Sequence, residues 1–433
     1  MSRTLRFEVP AQPDPALRTS STASLLSWTG LCATSFFLAD MNGVTMPFVN
    51  SYLQDVGWRY DAIGVVAALT GLISLLMNLP GGFLIDHTSR RRLLLAGASI
   101  LAGACFGLFP FVRPTYLWIG GLLAIASIAR PFLGPVTDSL TLALVGHDAL
   151  DRAVGIKQSW DHAGNIAAAV TAMALVAWLP VSSMFLAVAT VSIFAAASVF
   201  LIRPQEIVRG STTMASMQSG RPTVPFRTLL CDSRVVVLLV ASSLFHLANA
   251  PVMPLVAQKV RAYGGSNAQV AGVVLTAQAV MIPMALLAGI AAHRFGHKRV
   301  LSVGFTVLPL RIFLYALSDR PGSLVALQSL DGIGAGIFDV TTIAMCADIT
   351  RGQGRFNALT GALATSVGVG GAIGPIVAGI LVQHLGFAAA FATFAAIAAA
   401  AATLFIARMP TTNVATDHKD GVQIQPQFAT EVE

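Results

Sequence analysis

The chain has 433 residues, of which 55% are hydrophobic and only 11% charged, with a formal net charge of +7. A water-soluble domain carries about 25% charged residues, so the ionisable groups here are too few to coat a wet surface of this size. The excess charge does not mark a nucleic-acid reader either, because most Lys and Arg sit in short connectors between apolar runs instead of forming one basic patch.

Runs of about 20 apolar residues are long enough to cross a bilayer as helices. In chain order they cover 24–50, 61–85, 93–111, 116–138, 156–179 and 183–202, then 235–258, 268–292, 299–317, 322–347, 358–383 and 387–408. A transmembrane barrel would alternate apolar and polar residues in much weaker segments. The expectation is therefore an all-α integral membrane protein with twelve transmembrane helices. The first run is longer than a signal-peptide core and is interrupted by Asp40, Asn42 and Pro47, so it reads as a membrane helix and not a leader. Residues 1–23 read as an N-terminal tail, 204–233 as a linker rich in Ser, Thr, Gly and Arg, and 409–433 as a C-terminal tail.

An even number of crossings puts both termini on one side. Arg59, Arg113, Lys259, Arg261 and Arg320 fall on the other side and Arg130 and Arg311 inside spans, while most of the remaining Lys and Arg lie on the side of the termini. That asymmetry makes the side of the termini cytoplasmic.

The two halves of the sequence repeat. At an offset of 207, Asn42 meets Asn249, Met46 meets Met253, Pro47 meets Pro254, Gly82 meets Gly289 and Gly97 meets Gly304. Arg113-Pro114 meets Arg320-Pro321 at the same register. Farther on the register slips: Asp138 pairs with Asp339 at 201 and Arg152 with Arg355 at 203. Two pseudo-symmetric six-helix bundles follow, 24–203 and 234–408, of parallel topology and packed about an axis along the membrane normal.

A charged hinge closes the second run in each half: "GGFLIDHTSRRRLL" at 81–94 and "AGIAAHRFGHKRVL" at 288–301. It resembles the loop motif of the major facilitator superfamily of secondary transporters, Gly-x-Leu-Ala-Asp-Arg-x-Gly-Arg-Lys. Gly82, Leu84, Asp86, Arg90 and Arg91 stand at matching positions, with His87 and Ser89 where Arg and Gly are usual. The second copy keeps Gly289, Arg294, Gly296 and Lys298 but has His293 in place of the carboxylate. A further family pattern, Arg-x-x-x-Gly, matches Arg130 to Gly134. The resemblance implies that Asp86 touches the opposite half and helps close an inner gate. Asp86 ends its own helix, where the dipole disfavours an acid, so its stabilisation must come from a neighbouring Arg or another helix's N-terminus. Asp138 is a candidate partner for Arg90 or Arg91, and the second copy, lacking its acid, should hold less firmly.

Charged groups inside a bilayer are costly and normally face a cavity or a partner. Here they are Asp40 and Asn42 in the first span, Arg130 in the fourth, His246 and Asn249 in the seventh, Arg311 in the ninth, and Asp331 and Asp339 in the tenth. Spans one, four, seven and ten line the central cavity in the resembled family; Arg311 in the ninth span and an Asp161-His162 pair entering the fifth are exceptions, and the eight residues named first are the candidates for substrate or proton binding. Asp40, near mid-depth, is suited to load and release a proton, working with Arg130; the alternative is a carboxylate permanently paired with Arg130 and purely architectural. The glycine-rich "GVGVGGAIGPIVAG" follows no strand and reads as helix packing, not a phosphate loop.

The expected function is secondary active transport by alternating access in the inner membrane, with proton-coupled export of drug-like or metabolic compounds ahead of uptake or exchange of an organic anion. Expected partners are a small-molecule substrate, a proton or other coupling ion and the lipid bilayer, with no nucleic acid, no cofactor and a monomeric state. An intramembrane enzyme would need a clustered acid–base or metal set, and the eight His are dispersed.

Overall fold

The computed structural model describes residues 24–207 and 225–410, apart from 59, 148, 177 and 181. The tails, most of the linker and the side chain of Asn42 lie outside the described residues. Every described element is helical: α1 (Leu25–Asp55), α2 (Tyr60–His87), α3 (Arg91–Gly107), α4 (Tyr116–Val145), α5 (Leu150–Val176) and α6 (Ser183–Val199) precede the linker. After a short helix at Phe226–Leu230 come α7 (Ser233–Asn249), α8 (Val252–Ala262), α9 (Asn267–Phe295), α10 (His297–Leu317), α11 (Pro321–Ile349) and α12 (Phe356–Arg408). Among the described residues, eight helical runs are long and apolar enough to cross a membrane, and two shorter apolar helices cover Leu25–Met41 and Ser183–Val199. Helix is what lipid demands, since no water is available there to satisfy backbone N–H and C=O groups.

Polar residues set the ends. Ser266 and Gln269 form a reciprocal capping box at the start of α9, and Asp232 accepts the Arg234 backbone N–H at 2.8 Å before α7. Two boundaries differ from the sequence expectation for local reasons. The seventh predicted span is divided between α7 and α8, with Pro251 at the joint, where it removes the donor that Leu247 C=O would use. The fourth and fifth predicted spans are too short: α4 continues past Asp138 to Val145, and α5 starts at Leu150 instead of 156. Their charges continue the helices because they are paired, as described below. The long α12 turns at Gly386 (φ 80°, ψ 174°), a conformation open only to a residue without Cβ, and this divides it where the sequence separates its last two apolar runs.

The packing repeats between halves. In the first, α1 packs on α5 and α6, α3 on α4 and α6, and α2 on α4; in the second, α7 packs on α12, α10 on α11 and α12, and α9 on α11. The glycine-rich stretch is packing surface, as read: Cβ atoms added at Gly370 and Gly374 would run into the Ser243 and Leu247 carbonyls of α7. The halves meet along α2–α12 and α5–α9, with α11 also against α5. Both crossings are backbone-close at the end that carries the arginine-rich loop, called here the basic end. Gly82 abuts Asn357 and Gly361 abuts Asn78 at one; Gly155 abuts Ala285 and Gly289 abuts Asp151 at the other.

Candidate functional site

Arg130 lies half-buried on α4 and lines a cleft of about 340 Å³ between α2 and α4. Thr70, Ser74, Asn78 and Ser127 supply its polar wall, and Ala67, Gly71, Pro131, Leu133 and Gly134 the rest. No described acid pairs with the guanidinium. The cleft is in the size range of small-ligand sites. Local chemistry explains how the wall holds together: Pro131 has no N–H for the Ser127 carbonyl four residues back, and the Ser74 hydroxyl donates to that carbonyl instead, at 3.1 Å. Asn78 also touches Gly361 across the α2–α12 crossing, so the cleft adjoins the contact between halves.

Asp40 is elsewhere. It faces a small separate space lined by Thr171, Ala172 and Leu175 of α5 and Met184, Ala187, Val188 and Val191 of α6. The expected partnership of Asp40 with Arg130 is therefore corrected: the two point from their helices into different clefts, because the helical period places a residue on a face without saying which neighbour that face meets.

In the second half, Arg311 is 2% exposed and its guanidinium bonds to both the Asp331 carboxylate and the Asn249 side-chain carbonyl. This decides what the sequence left open: Arg311 is internally paired and does not snorkel outward. His246, one turn before Asn249, packs its ring against Phe338 at 4.9 Å and places Nδ1 on the Ser242 carbonyl. Breaking the buried pair leaves a charge without its counterion. Asp331→Asn keeps one acceptor and is expected to cost about 1–3 kcal/mol, seen as a lower melting temperature of the purified protein; an unchanged melting curve would show that the guanidinium has another anchor.

At the basic end, Asp86 reaches the N-terminus of α12. Its Oδ1 accepts the Asn357 backbone N–H at 3.1 Å and the Asn357 side-chain N–H at 2.8 Å, while Oδ2 accepts the Ala358 N–H at 2.9 Å. These are the first N–H groups of a helix, which have no partner inside it and carry the positive end of its dipole. Arg91, 7% exposed, adds a favourable charge to Asp86, and the Arg355 guanidinium lies over the Phe83 ring at 5.7 Å. Arg90 is exposed at the start of α3. Asp138 does not pair with Arg90 or Arg91 as expected. Its carboxylate takes the Lys157 ammonium of α5 at 2.6 Å, since both sit on facing stretches of adjacent helices, well inside their ends.

The second crossing has its own charged contact despite the missing motif acid. Asp151, in the first turn of α5, accepts from His297 Nε2 at 2.8 Å, and His297 Nδ1 lies 2.6 Å from Asp348 Oδ2 of α11. The acid here comes from the first half and the motif region of the second half answers with an imidazole. Gly296 turns the chain just before it, Arg294 is exposed with its guanidinium over Phe295, and Lys298 is half-buried. Asp339 is half-buried on α11, within electrostatic reach of Lys157 and Asp161. The sequence analysis passed over Lys157, Asp151, His297 and Asn357 as functional candidates. Lys157 alone carried a usable signal, a cation seven residues into α5.

Residues 28–393 match the MFS_1 like family. Over 384 residues, 87% of this chain, the protein is 33% identical to a protein described as an uncharacterized MFS-type transporter of Mycobacterium tuberculosis, of which the match covers 92%. A tetracenomycin C resistance and export protein of Streptomyces glaucescens is 30% identical over 181 residues, 41% of this chain and 31% of that protein. Among solved structures, the fucose:proton symporter of E. coli superposes with a TM-score of 0.70 at 14% identity, covering 90% of this chain and 99% of that one.

Proposed function

The chain belongs to the MFS_1 like family of transporters, and on that premise we propose that it is a proton-coupled secondary active transporter exporting small drug-like or metabolic compounds. It works as a monomer, by alternating access between two six-helix bundles, 24–203 and 234–408, that together make twelve crossings. The basic end and both termini face the cytoplasm of the inner membrane. Asp86 with the start of α12, and Asp151 with His297, form the inner gate, closed over crossings that Gly82 and Gly289 keep thin.

Arg130 carries this reading. An ionised group inside a bilayer costs roughly 2.5–3.5 kcal/mol on insertion scales, and this guanidinium meets that cost without an acid among the described residues, facing a polar cleft that adjoins the moving contact. Such a group is suited to take a substrate's anionic or strongly accepting atom. Partial similarity to a resistance and export protein favours export. A guanidinium on the cleft wall favours a second reading, exchange or uptake of an organic anion.

The test is a thermal-stability screen of the purified protein against drug-like cations, neutral compounds and organic anions, followed by flux of the hits into proteoliposomes with and without a pH gradient. A charge-assisted hydrogen bond contributes about 1.5–3 kcal/mol, so Arg130→Ala should weaken binding of a hit by roughly tenfold or more. Equal binding by the variant removes the cleft as the site. Flux indifferent to the pH gradient removes proton coupling.

A further inference from the structure

Deep in α5 one ammonium group pairs with one carboxylate and lies within electrostatic reach of two more. Lys157, 5% exposed, is bonded to Asp138 of α4, which is 8% exposed. Asp161, the next turn of α5, and Asp339 of α11 both act electrostatically on Lys157 and on Asp138. At about 1.5 Å per residue, Asp138 and Lys157 lie roughly 10 Å, and Asp161 and Asp339 roughly 15–16 Å, from the basic ends of their helices. Asp138, Lys157 and Asp161 belong to the first half and Asp339 to the second, so the cluster straddles the contact between α5 and α11.

The charges do not balance. With every acid ionised the group carries two surplus negative charges. Lys259, another buried lysine, shows the ordinary arrangement: at 1% exposed it faces one acid, Asp319, at 3.0 Å and one carbonyl, that of Tyr315, at 2.8 Å. Among the described residues, the other titratable groups that act on the Lys157 cluster supply no second cation. His162, beside Asp161, is 4% exposed, uses Nδ1 toward Gln278 of α9 at 3.1 Å and leaves Nε2 without a partner; Cys346 of α11 is a thiol. Withdrawing an unpaired ion from water costs several kcal/mol, and carboxylates crowded together cannot all stay ionised. Binding one proton halves the surplus, leaving a single negative charge. Asp138 and Lys157 are the buried pair, whereas Asp161 and Asp339 each keep part of their surface accessible.

We propose that Asp161 and Asp339 form a proton-binding site shared between the two halves, organised around the fixed Lys157–Asp138 ion pair. A proton from water adds to a carboxylate oxygen of this pair of acids to give one neutral carboxyl, and leaves again to water. Loading it weakens the attraction of Lys157 for Asp339 across the interface, and release restores it, so occupancy biases how firmly the halves hold together. The transporter reading is needed only for what that bias drives. The site replaces Asp40, which faces α5 and α6 instead, as the seat of coupling.

The test needs no substrate. Infrared pH-difference spectra of the full-length protein in lipid bilayers should contain a protonated-carboxyl band that appears on acidification and disappears as the pH is raised. Asp161→Asn and Asp339→Asn, both near-isosteric, should each remove or shift that band, and Asp40→Asn should leave it. Lys157→Gln should displace the midpoint to higher pH, because it removes the cation that favours the ionised form. No titrating band, or one that survives both Asn substitutions at positions 161 and 339, overturns the proposal. A protein that carries no solute would leave this titration intact, so failure of the transporter reading and failure of the proton site are separately visible.

Discussion

Asp86→Asn is expected to leave the protein folded in the membrane and to reduce transport by about a hundredfold. The carboxylate accepts three N–H groups at the start of α12, two of them backbone donors with no partner inside their own helix. Hydrogen bonds to a charged group contribute about 1.5–3 kcal/mol each. An asparagine offers one oxygen in place of two and turns an N–H₂ toward another donor, so a net loss of about 3 kcal/mol is a reasonable scale. Since about 1.4 kcal/mol is tenfold in an equilibrium, the closed form of the basic end would fall by roughly two orders of magnitude. Only the contact between halves is affected, because among the described residues Asp86 satisfies nothing in its own bundle beyond attraction to Arg91. Spin labels on the exposed positions His87 and Arg351 report the separation directly. A distance distribution and a flux both unchanged by the substitution would remove Asp86 from the gate.

Alanine at Gly82 or Gly289 should be as severe, for a steric reason. A Cβ at Gly82 would lie 2.1 Å from the Asn357 carbonyl oxygen, and one at Gly289 would lie 2.4 Å from that of Asp151. Both obstacles are backbone in a packed helix, which cannot rotate aside as a side chain can. Close crossings of this kind depend on small residues because the attraction in lipid comes from packing at short range. Flux in either variant should fall to background while membrane insertion continues. Gly97→Ala, with open space where its Cβ would go, is the matched control and should transport normally. Normal flux from the Gly82 and Gly289 variants would mean that this end never needs to close so tightly.

The two substitutions also separate the copies of the hinge. Gly82 and Gly289 occupy equivalent positions in the repeat and do equivalent work, each lying against the other half's backbone. The charged contacts beside them are not equivalent. One half offers an acid to a helix N-terminus, and at the other crossing an acid on the helix N-terminus meets an imidazole. What the repeat preserves is the thin crossing, and the polar clasp over it has been built two ways.

Much of this was legible in the linear chain. Apolar runs locate helices because lipid leaves the backbone no partner but itself, and helix limits came within a few residues except where Asp138 and the polar start of α5 looked like ends. The 207-residue repeat pointed to the glycines at both crossings, and Asp86 at the negative end of its own helix had to be answered by something outside it. Partners were a different matter. That Asp138 meets Lys157 and not an arginine, that Arg311 is held by Asp331 and Asn249, that Asp40 turns from Arg130, and that Asp161 and Asp339 come within electrostatic reach of the same lysine were decided only when the helices packed. The physical reason is that helical periodicity assigns each side chain a face, while the neighbour opposite that face comes from elsewhere in the chain, and the energy of a charge inside a membrane depends almost wholly on that neighbour.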